Sequence, residues 1–185
     1  TSDAEFQERA CPGCLSSSFR KAFKKSGFTF VRCENCNSLF ANPVPSESIL
    51  QAFYQDSVSS AYWSENFFPA VAEARRKNIF EPRVANILEL TQSLGIEVER
   101  LIDVGAGAGI FIQEVAKASR KISVRAVEPN NQLATTCRDA GIETFMGFAE
   151  DASESPDWHK SADLVTCFEV IEHVVYPDQL LKNMK

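Results

Sequence analysis

Residues 100–128, RLIDVGAGAGIFIQEVAKASRKISVRAVE, constrain the fold more than any other stretch of this chain. An apolar run, Leu101 to Val104, enters a turn with glycine at 105, 107 and 109. Ile110 to Ala118 then place Ile112, Val115 and Ala116 at helical spacing, and Val124 to Val127 make a second apolar run that ends at Glu128. Strand, glycine turn, helix and strand in this order read as a βαβ unit, so two parallel strands are joined by a crossover helix. Glycine is required where backbone turns sharply and approaches a ligand with no Cβ in the way. An acid at the end of the second strand commonly holds ribose hydroxyls. The expected class is α/β with a Rossmann-like sheet.

A dinucleotide is the obvious ligand for such a turn, and two details argue against it. The fingerprint G-x-G-x-x-G would need glycine at 110, where this chain has Ile110. Asp103 also stands two residues before the first glycine, and a carboxylate close to a pyrophosphate repels it. The same carboxylate suits a cation, such as the ammonium and sulfonium groups of S-adenosylmethionine (SAM), and partial burial strengthens that attraction.

Asp103-Val-Gly105-Ala-Gly107-Ala-Gly109 followed by Glu128 resembles the cofactor motif of class I SAM-dependent methyltransferases. The resemblance implies that the glycine loop cradles the methionine and ribose part and that Glu128 binds the ribose. Gly147-Phe148-Ala149-Glu150, after an apparent strand from Glu143 to Met146, resembles the segment bordering the adenine. Many relatives carry Asp where this chain has Phe148, whose ring can pack there instead. Asp163 to Phe168 matches the fourth strand. The resemblance covers residues 98–185 and implies a seven-stranded sheet, of which the sequence accounts for four strands before ending in the next helix. The reading is a fragment, or a shortened sheet whose fourth strand is an edge that needs cover.

Ahead of this core, Cys11-Pro-Gly-Cys14 and Cys33-Glu-Asn-Cys36 form a C-x2-C, x18, C-x2-C arrangement. Two residues between thiolates let each pair grip one ion, and a hairpin spacer brings the pairs together as a tetrahedron. Ser26-Gly27 reads as the hairpin turn, with Phe28, Phe30 and Arg32 alternating against Thr29 and Val31. Four thiolates leave no open coordination position, so the expected zinc is structural. Disulfides compete, but nothing in the sequence points to an oxidising compartment. Cys137 and Cys167 lie in apolar surroundings and read as small core residues. With the ribbon included, the chain is similar to bacterial small-molecule methyltransferases that carry an N-terminal zinc-binding segment, some of which act on sugars or natural products.

Net charge argues about partners. The chain carries −6 overall, which disfavours a dedicated binder of duplex nucleic acid. Residues 1–45 nevertheless hold six Lys/Arg against four Asp/Glu, with Arg20, Lys21, Lys24, Lys25 and Arg32 making them locally basic. That basic segment is either a solvated face or a site for phosphate or a nucleotide-linked substrate. No apolar run approaches the length needed to span a bilayer, and the N-terminus has no basic start followed by an apolar core, so the expected location is cytoplasmic. The oligomeric state stays open.

Asn42-Pro43-Val44-Pro45 is read as the end of the ribbon, because two prolines two apart break helix and interior strand. Ser46 or Ser48 can cap a short helix with Ile49, Leu50, Phe53 and Tyr54, and Val84 to Leu94 follow helical spacing up to Gly95. Between them lies AYWSENFFPAV, read either as core packing or as a lid that brings Tyr62 or Trp63 against the cofactor. The division is therefore ribbon 1–45, helical connector or lid 46–97 and cofactor-binding core 98–185.

The stretch CFEVIEHVVYP, 167–177, sets Glu169, Glu172 and His173 in an apolar run just after the fourth strand, where ligands of an open α/β sheet sit. If it turns helically, the three converge on one face; as a strand, Glu172 points away from the other two. They are read as helix-terminal acids beside a packed histidine, as a general base, or as ligands of a second divalent metal. E-x-x-E-H resembles the metal-binding motif of small-RNA 2′-O-methyltransferases and the same region of ubiquinone-biosynthesis O-methyltransferases. A catalytic role on the substrate side is favoured. The resulting expectation is O- or C-methylation of a small molecule. An RNA methyltransferase or RNA-binding module and a non-catalytic scaffold are the alternatives.

Overall fold

The computed structural model describes residues 5–56, 62, 66 and 68–185. Its N-terminal part is built on β2 (Phe19–Lys25) and β3 (Phe28–Cys33), which pair antiparallel around Ser26 and Gly27, both at positive φ as a tight hairpin turn requires. Strand β4 (Leu39–Ala41) adds to β3 to complete a three-stranded sheet. Only its inner face is buried: Val31, Cys33 and Phe40 lie there with Cys11, and Phe19 packs against them. Strand β1 (Phe6–Gln7), which precedes the ribbon, pairs antiparallel with β5 (Val44–Pro45). The prolines therefore do not simply end the ribbon. In a two-stranded edge pairing, Pro45 has a partner only on one side, so its missing N–H is tolerated.

Helix α1 (Glu47–Asp56) follows, starting where Ser46 accepts the first backbone hydrogen bonds from Ile49 and Leu50. Trp63 and most of its aromatic neighbours fall outside the described residues. Helix α2 (Phe68–Arg75) runs through a π-helical turn, Arg76–Phe80, into α3 (Glu81–Ser93). Gly95 ends α3 at φ 66°, with its N–H donating to Gln92 O and the Ile96 N–H donating to Thr91 O. This pair of bonds satisfies carbonyls that the helix end would otherwise orphan.

The core sheet has the order β8-β7-β6-β9, all parallel: β6 (Arg100–Val104), β7 (Ser123–Glu128), β8 (Glu143–Met146) and β9 (Leu164–Cys167). Helix α4 (Ile110–Ala118) crosses from β6 to β7 and α5 (Asn131–Asp139) from β7 to β8. Helices α6 (Ala149–Glu154) and α7 (Pro177–Asn183) flank β9 in sequence. Successive side chains of a strand face opposite ways. Leu101 accordingly enters a cluster with Phe111, Ile112, Val115 and Val84, while Ile102 and Val104 join Ala149, Ala152 and Leu180 on the other side. Both faces of β6 are thus buried, as a parallel sheet requires, and each fully covered Leu or Ile is worth about 1.5–3 kcal/mol. The four strands, the glycine turn and the crossover helix lie where the sequence puts them.

Helix α4 also buries a charge that the apolar spacing does not announce. Glu114, 8 % exposed, pairs with Arg76 and with Lys117. Burial works against its charge, but Lys117 and Arg76 outweigh it and hold the carboxyl below its ordinary range. The contact fixes the π-helical turn to α4. Arg76→Ala, which strips one partner from a buried carboxylate, is expected to cost about 1–3 kcal/mol. Adding Glu114→Gln should recover part of that loss, as read by urea unfolding.

Candidate functional site

The site is built at the carboxyl ends of β6 and β7, from the turn that joins β6 to α4. Gly105 sits at φ 73°, and a Cβ there would collide with Val170 Cγ2, so the turn can pack against the loop after β9 only as glycine. At Gly107, φ 58°, a Cβ would meet nothing within 4 Å; this part of the loop borders open space. Gly109 precedes α4 and lies over Cys137, which is fully buried and donates to Gly107 O at 3.2 Å.

Glu128 ends β7 with 5 % exposure. Its Oε2 accepts the Gly107 N–H at 2.7 Å and its Oε1 accepts the Asn130 N–H at 2.8 Å. Each carboxylate oxygen keeps a further lone pair. Burial raises this carboxyl above its ordinary range against those two donors. Asp103, 3 % exposed, lies beside Thr166 on the neighbouring strand, and the Thr166 hydroxyl donates to its Oδ1 at 2.7 Å. Burial pushes Asp103 up to about 7, with the Glu128 charge adding to the shift and Thr166 and Arg83 opposing it. Neither carboxylate has an ion-pair partner among the described residues.

A cavity of about 700 Å³ opens beside these groups. Gly105, Glu128, Phe148, Ala149, Glu169 and His173 all line it. Asp103, Gly107, Gly109 and Glu172 do not, and neither does Tyr62, which is exposed. Asp103 thus stands behind the cavity wall: its side chain points along the sheet face to Thr166, and its charge reaches the cavity only through the loop. Phe148 stands at the start of α6, where its N–H donates to Asp151 Oδ2 at 3.3 Å. The far wall comes from α1, including Leu50, Phe53 and Tyr54.

The stretch after β9 is neither a continuous helix nor a strand. Glu169 adopts a left-handed φ of 58°, and only Ile171–His173 form a single 3-10 turn. The left-handed residue breaks the helical phase, so the three polar groups do not share one face. Glu169 pairs with Arg83 at 3.9 Å; Glu172 Oε1 lies 4.0 Å from His173 Nε2; the His173 ring tilts against Tyr54 at 5.7 Å. Nor is the stretch buried, since the three side chains are 69 %, 48 % and 50 % exposed. Among the described residues, the four ribbon cysteines are the group of His, Cys, Asp or Glu whose ligand atoms converge for a metal; Glu169, Glu172 and His173 form no such group, which removes the support for a second metal.

The cysteines do converge. Cys11, Cys14, Cys33 and Cys36 have all their sulfurs within 4.8 Å of one another, with Cys11 and Cys36 at 3.5 Å and Cys14 and Cys33 at 3.6 Å. Four thiolates at ~2.3 Å from a shared zinc stand ~3.8 Å apart, so the set fits a tetrahedral ion. All six cysteines are free thiols, and Cys137 and Cys167 lie away from this group. No helix among the described residues is long and apolar enough to cross a membrane.

Three contributors escape the sequence reading. Asn130 caps α5 through its Oδ1 and the Leu133 N–H, and its Nδ2 donates to Tyr54 O and Gln55 O, tying α1 to the site. An Asn ahead of an amphipathic run is a readable cap signal. Thr166 and Arg83 carry no local signal, because only the pairing of β6 with β9 and the packing of α3 bring them to Asp103.

Asp103 also makes the protein sensitive to pH. Its folded pKa is above the unfolded value of 3.8, so its contribution to stability is complete below pH 3.8 and is lost as pH rises toward about 7. Asp103→Asn keeps the acceptor for Thr166 and removes the buried charge. It is expected to raise the melting temperature at pH 8 by about 5 °C and to flatten the fall between about pH 4 and 7, as read by thermal scans.

Comparison with known proteins agrees with this geometry. Residues 71–185 match a family described as Methyltransferase domain. Ubiquinone biosynthesis O-methyltransferase of Aeromonas salmonicida (strain A449) is 30 % identical over 96 residues, covering 49 % of this chain and 39 % of the relative. The mitochondrial enzyme of that name from Candida albicans is 29 % identical over 86 residues, covering 44 % and 26 %. The chain thus spans less than half the length of the curated relatives it matches. Among solved structures, that of the plantazolicin methyltransferase BpumL in complex with SAH superposes with a TM-score of 0.55 at 12 % identity, covering 72 % of this chain and 51 % of the other, which is a likeness of fold. With its β8-β7-β6-β9 sheet, its glycine turn and the family match over residues 71–185, the chain belongs to the class I SAM-dependent methyltransferase family.

Proposed function

We propose that this protein is a SAM-dependent methyltransferase acting on an oxygen or carbon of a small molecule, with a sugar or natural-product intermediate as the acceptor. The observation that carries this reading is a pair of buried carboxylates without ion-pair partners among the described residues, Glu128 at the wall of a cavity that the glycine loop borders and Asp103 behind that wall. Such groups are stable beside a ligand that offers hydroxyl donors and positive charge. SAM brings both: ribose hydroxyls suit the free lone pairs of Glu128, and the ammonium and sulfonium groups suit the field of Asp103.

When bound, SAM supplies an electrophilic methyl group on a sulfonium. In this reading Gly105, Gly107 and Gly109 give its methionine and ribose part a loop without side chains, and Phe148 and Ala149 border its adenine. The residues 1–45, 46–97 and 98–185 then act as zinc ribbon, helical connector and cofactor-binding core. Glu169 and His173 line the remaining cavity on the acceptor side. His173, beside Glu172, is the base that takes the acceptor's proton as the methyl arrives; positioning dominates such a displacement, and a base adds most for hydroxyl or carbon-acid acceptors. Structural zinc on the four cysteines, Cys137 and Cys167 as unpaired thiols and a cytoplasmic location belong together in this reading.

The experiment is calorimetric titration with SAM and with S-adenosylhomocysteine (SAH), alongside elemental analysis. Equimolar zinc and SAH binding that falls at least ~10-fold in Glu128→Ala are expected. A folded, zinc-loaded protein that binds neither compound would count against the reading. A second use of the ribbon is favoured by its outward face, where Phe23 and Phe30 stack at 4.9 Å and the paired Arg20 and Arg32 stand on the same side. Stacked rings flanked by cations suit single-stranded RNA. Anisotropy with a labelled RNA strand at ~50 and ~200 mM salt separates this use, which predicts steep salt dependence, from a purely structural ribbon.

A further inference from the structure

Arg75 is the arginine in the cavity lining, and among the described residues it is left without an anion. Arg76 pairs with Glu73 and Glu114, Arg83 with Glu169, and Arg125 with Glu143. Arg75, at the end of α2, is half-buried and lines the cavity. No carboxylate among the described residues lies within ion-pairing distance of it, although Glu47, Glu128, Glu150 and Glu169 line the same cavity. Its guanidinium rests instead over the Phe80 ring, 5.4 Å from the centroid.

The π-helical turn explains how it comes to be there. An α turn holds 3.6 residues and a π turn about one more, so residues eight apart across one of each return to nearly the same face. Arg75 and Arg83 are eight apart and span Arg76–Phe80, and both guanidiniums reach the Phe80 ring, at 5.4 and 5.9 Å. In an uninterrupted α-helix they would diverge. The turn is pinned by the Arg76 to Glu114 contact, so the placement of Arg75 is built into the fold. Arg83 spends its charge on Glu169; Arg75 keeps its fork of donors free toward the cavity.

Resting on the methyltransferase reading, we propose that Arg75 is a receptor for a carboxylate bound in this cavity. A guanidinium takes a carboxylate through two parallel N–H donors, and a ring-stacked, partly desolvated one loses little freedom in doing so. Two sources carry that chemistry: the methionine carboxylate of SAM, and an acidic group on the methyl acceptor.

The test compares wild type with Arg75→Gln using three kinds of probe. SAH has the carboxylate, and 5′-methylthioadenosine lacks the amino-acid end; 3,4-dihydroxybenzoate and catechol, titrated into SAH-loaded protein, differ by a carboxylate. If the cofactor's carboxylate is the partner, Arg75→Gln weakens SAH about 10-fold or more and leaves methylthioadenosine unchanged. If the acceptor's is, SAH is unchanged, and a wild-type preference for dihydroxybenzoate over catechol disappears in the variant. Arg75→Lys should restore part of either effect. Equal weakening of SAH and methylthioadenosine, or no change in SAH together with no lost preference, overturns the proposal. Wild type that binds neither adenosine compound fails the methyltransferase reading instead.

Discussion

The Glu128 carboxylate is the joint on which this architecture closes. One oxygen holds the Gly107 N–H of the loop after β6, and the other holds the Asn130 N–H at the entry to α5. Asn130 in turn caps α5 and holds the carbonyls at the end of α1. A single buried acid therefore connects two crossover units and one wall of the cavity. Hydrogen bonds to an ionised acceptor are stronger than neutral ones, and a buried carboxylate without them would not stay charged. The loop N–H is held by Glu128, and that N–H in turn offsets part of the cost of burying the carboxylate.

This arrangement has an energetic asymmetry. Asp103 lies 3 % exposed on the central strand with one hydroxyl donor, while Glu128 has two backbone donors. Burial dominates both shifts, and Asp103 has the fewer hydrogen-bond donors. Electrostatic cost stored in a buried carboxylate beside a cavity is a familiar mark of a functional site.

Local pattern made part of this molecule legible. The βαβ unit could be read because strand, glycine turn and helix each carry their own signal, and the helix bounds Ile110 and Ala118 agree with the apolar spacing. The cysteine spacing was equally direct, since two C-x2-C turns on a hairpin have few ways to arrange four sulfurs. Residues 169–173 were not legible in the same way. Their geometry depends on a left-handed residue at Glu169, a type that rarely adopts it, where β9 leaves the sheet and Val170 must seat against Gly105. The strand at Val44–Pro45 was missed for a related reason: its partner, Phe6–Gln7, is remote in sequence. Thr166, Arg83 and the π-helical turn likewise arise from packing between elements, to which periodicity within one element is blind.

The ribbon is more than an appendage fastened to the core by chain connectivity. Arg9 lies just before the first cysteine and donates to the carbonyls of Val174 and Val175, at 3.4 and 2.8 Å, while Gln7 donates to the Tyr176 hydroxyl at 3.1 Å. Val174, Val175 and Tyr176 all line the cavity. The rim of the pocket is therefore held in shape by side-chain bonds from the segment that leads into the four-cysteine ribbon. Exchange of this N-terminal segment would carry one edge of the pocket with it, so its divergence is a route by which the shape of the cavity changes while the sheet stays the same.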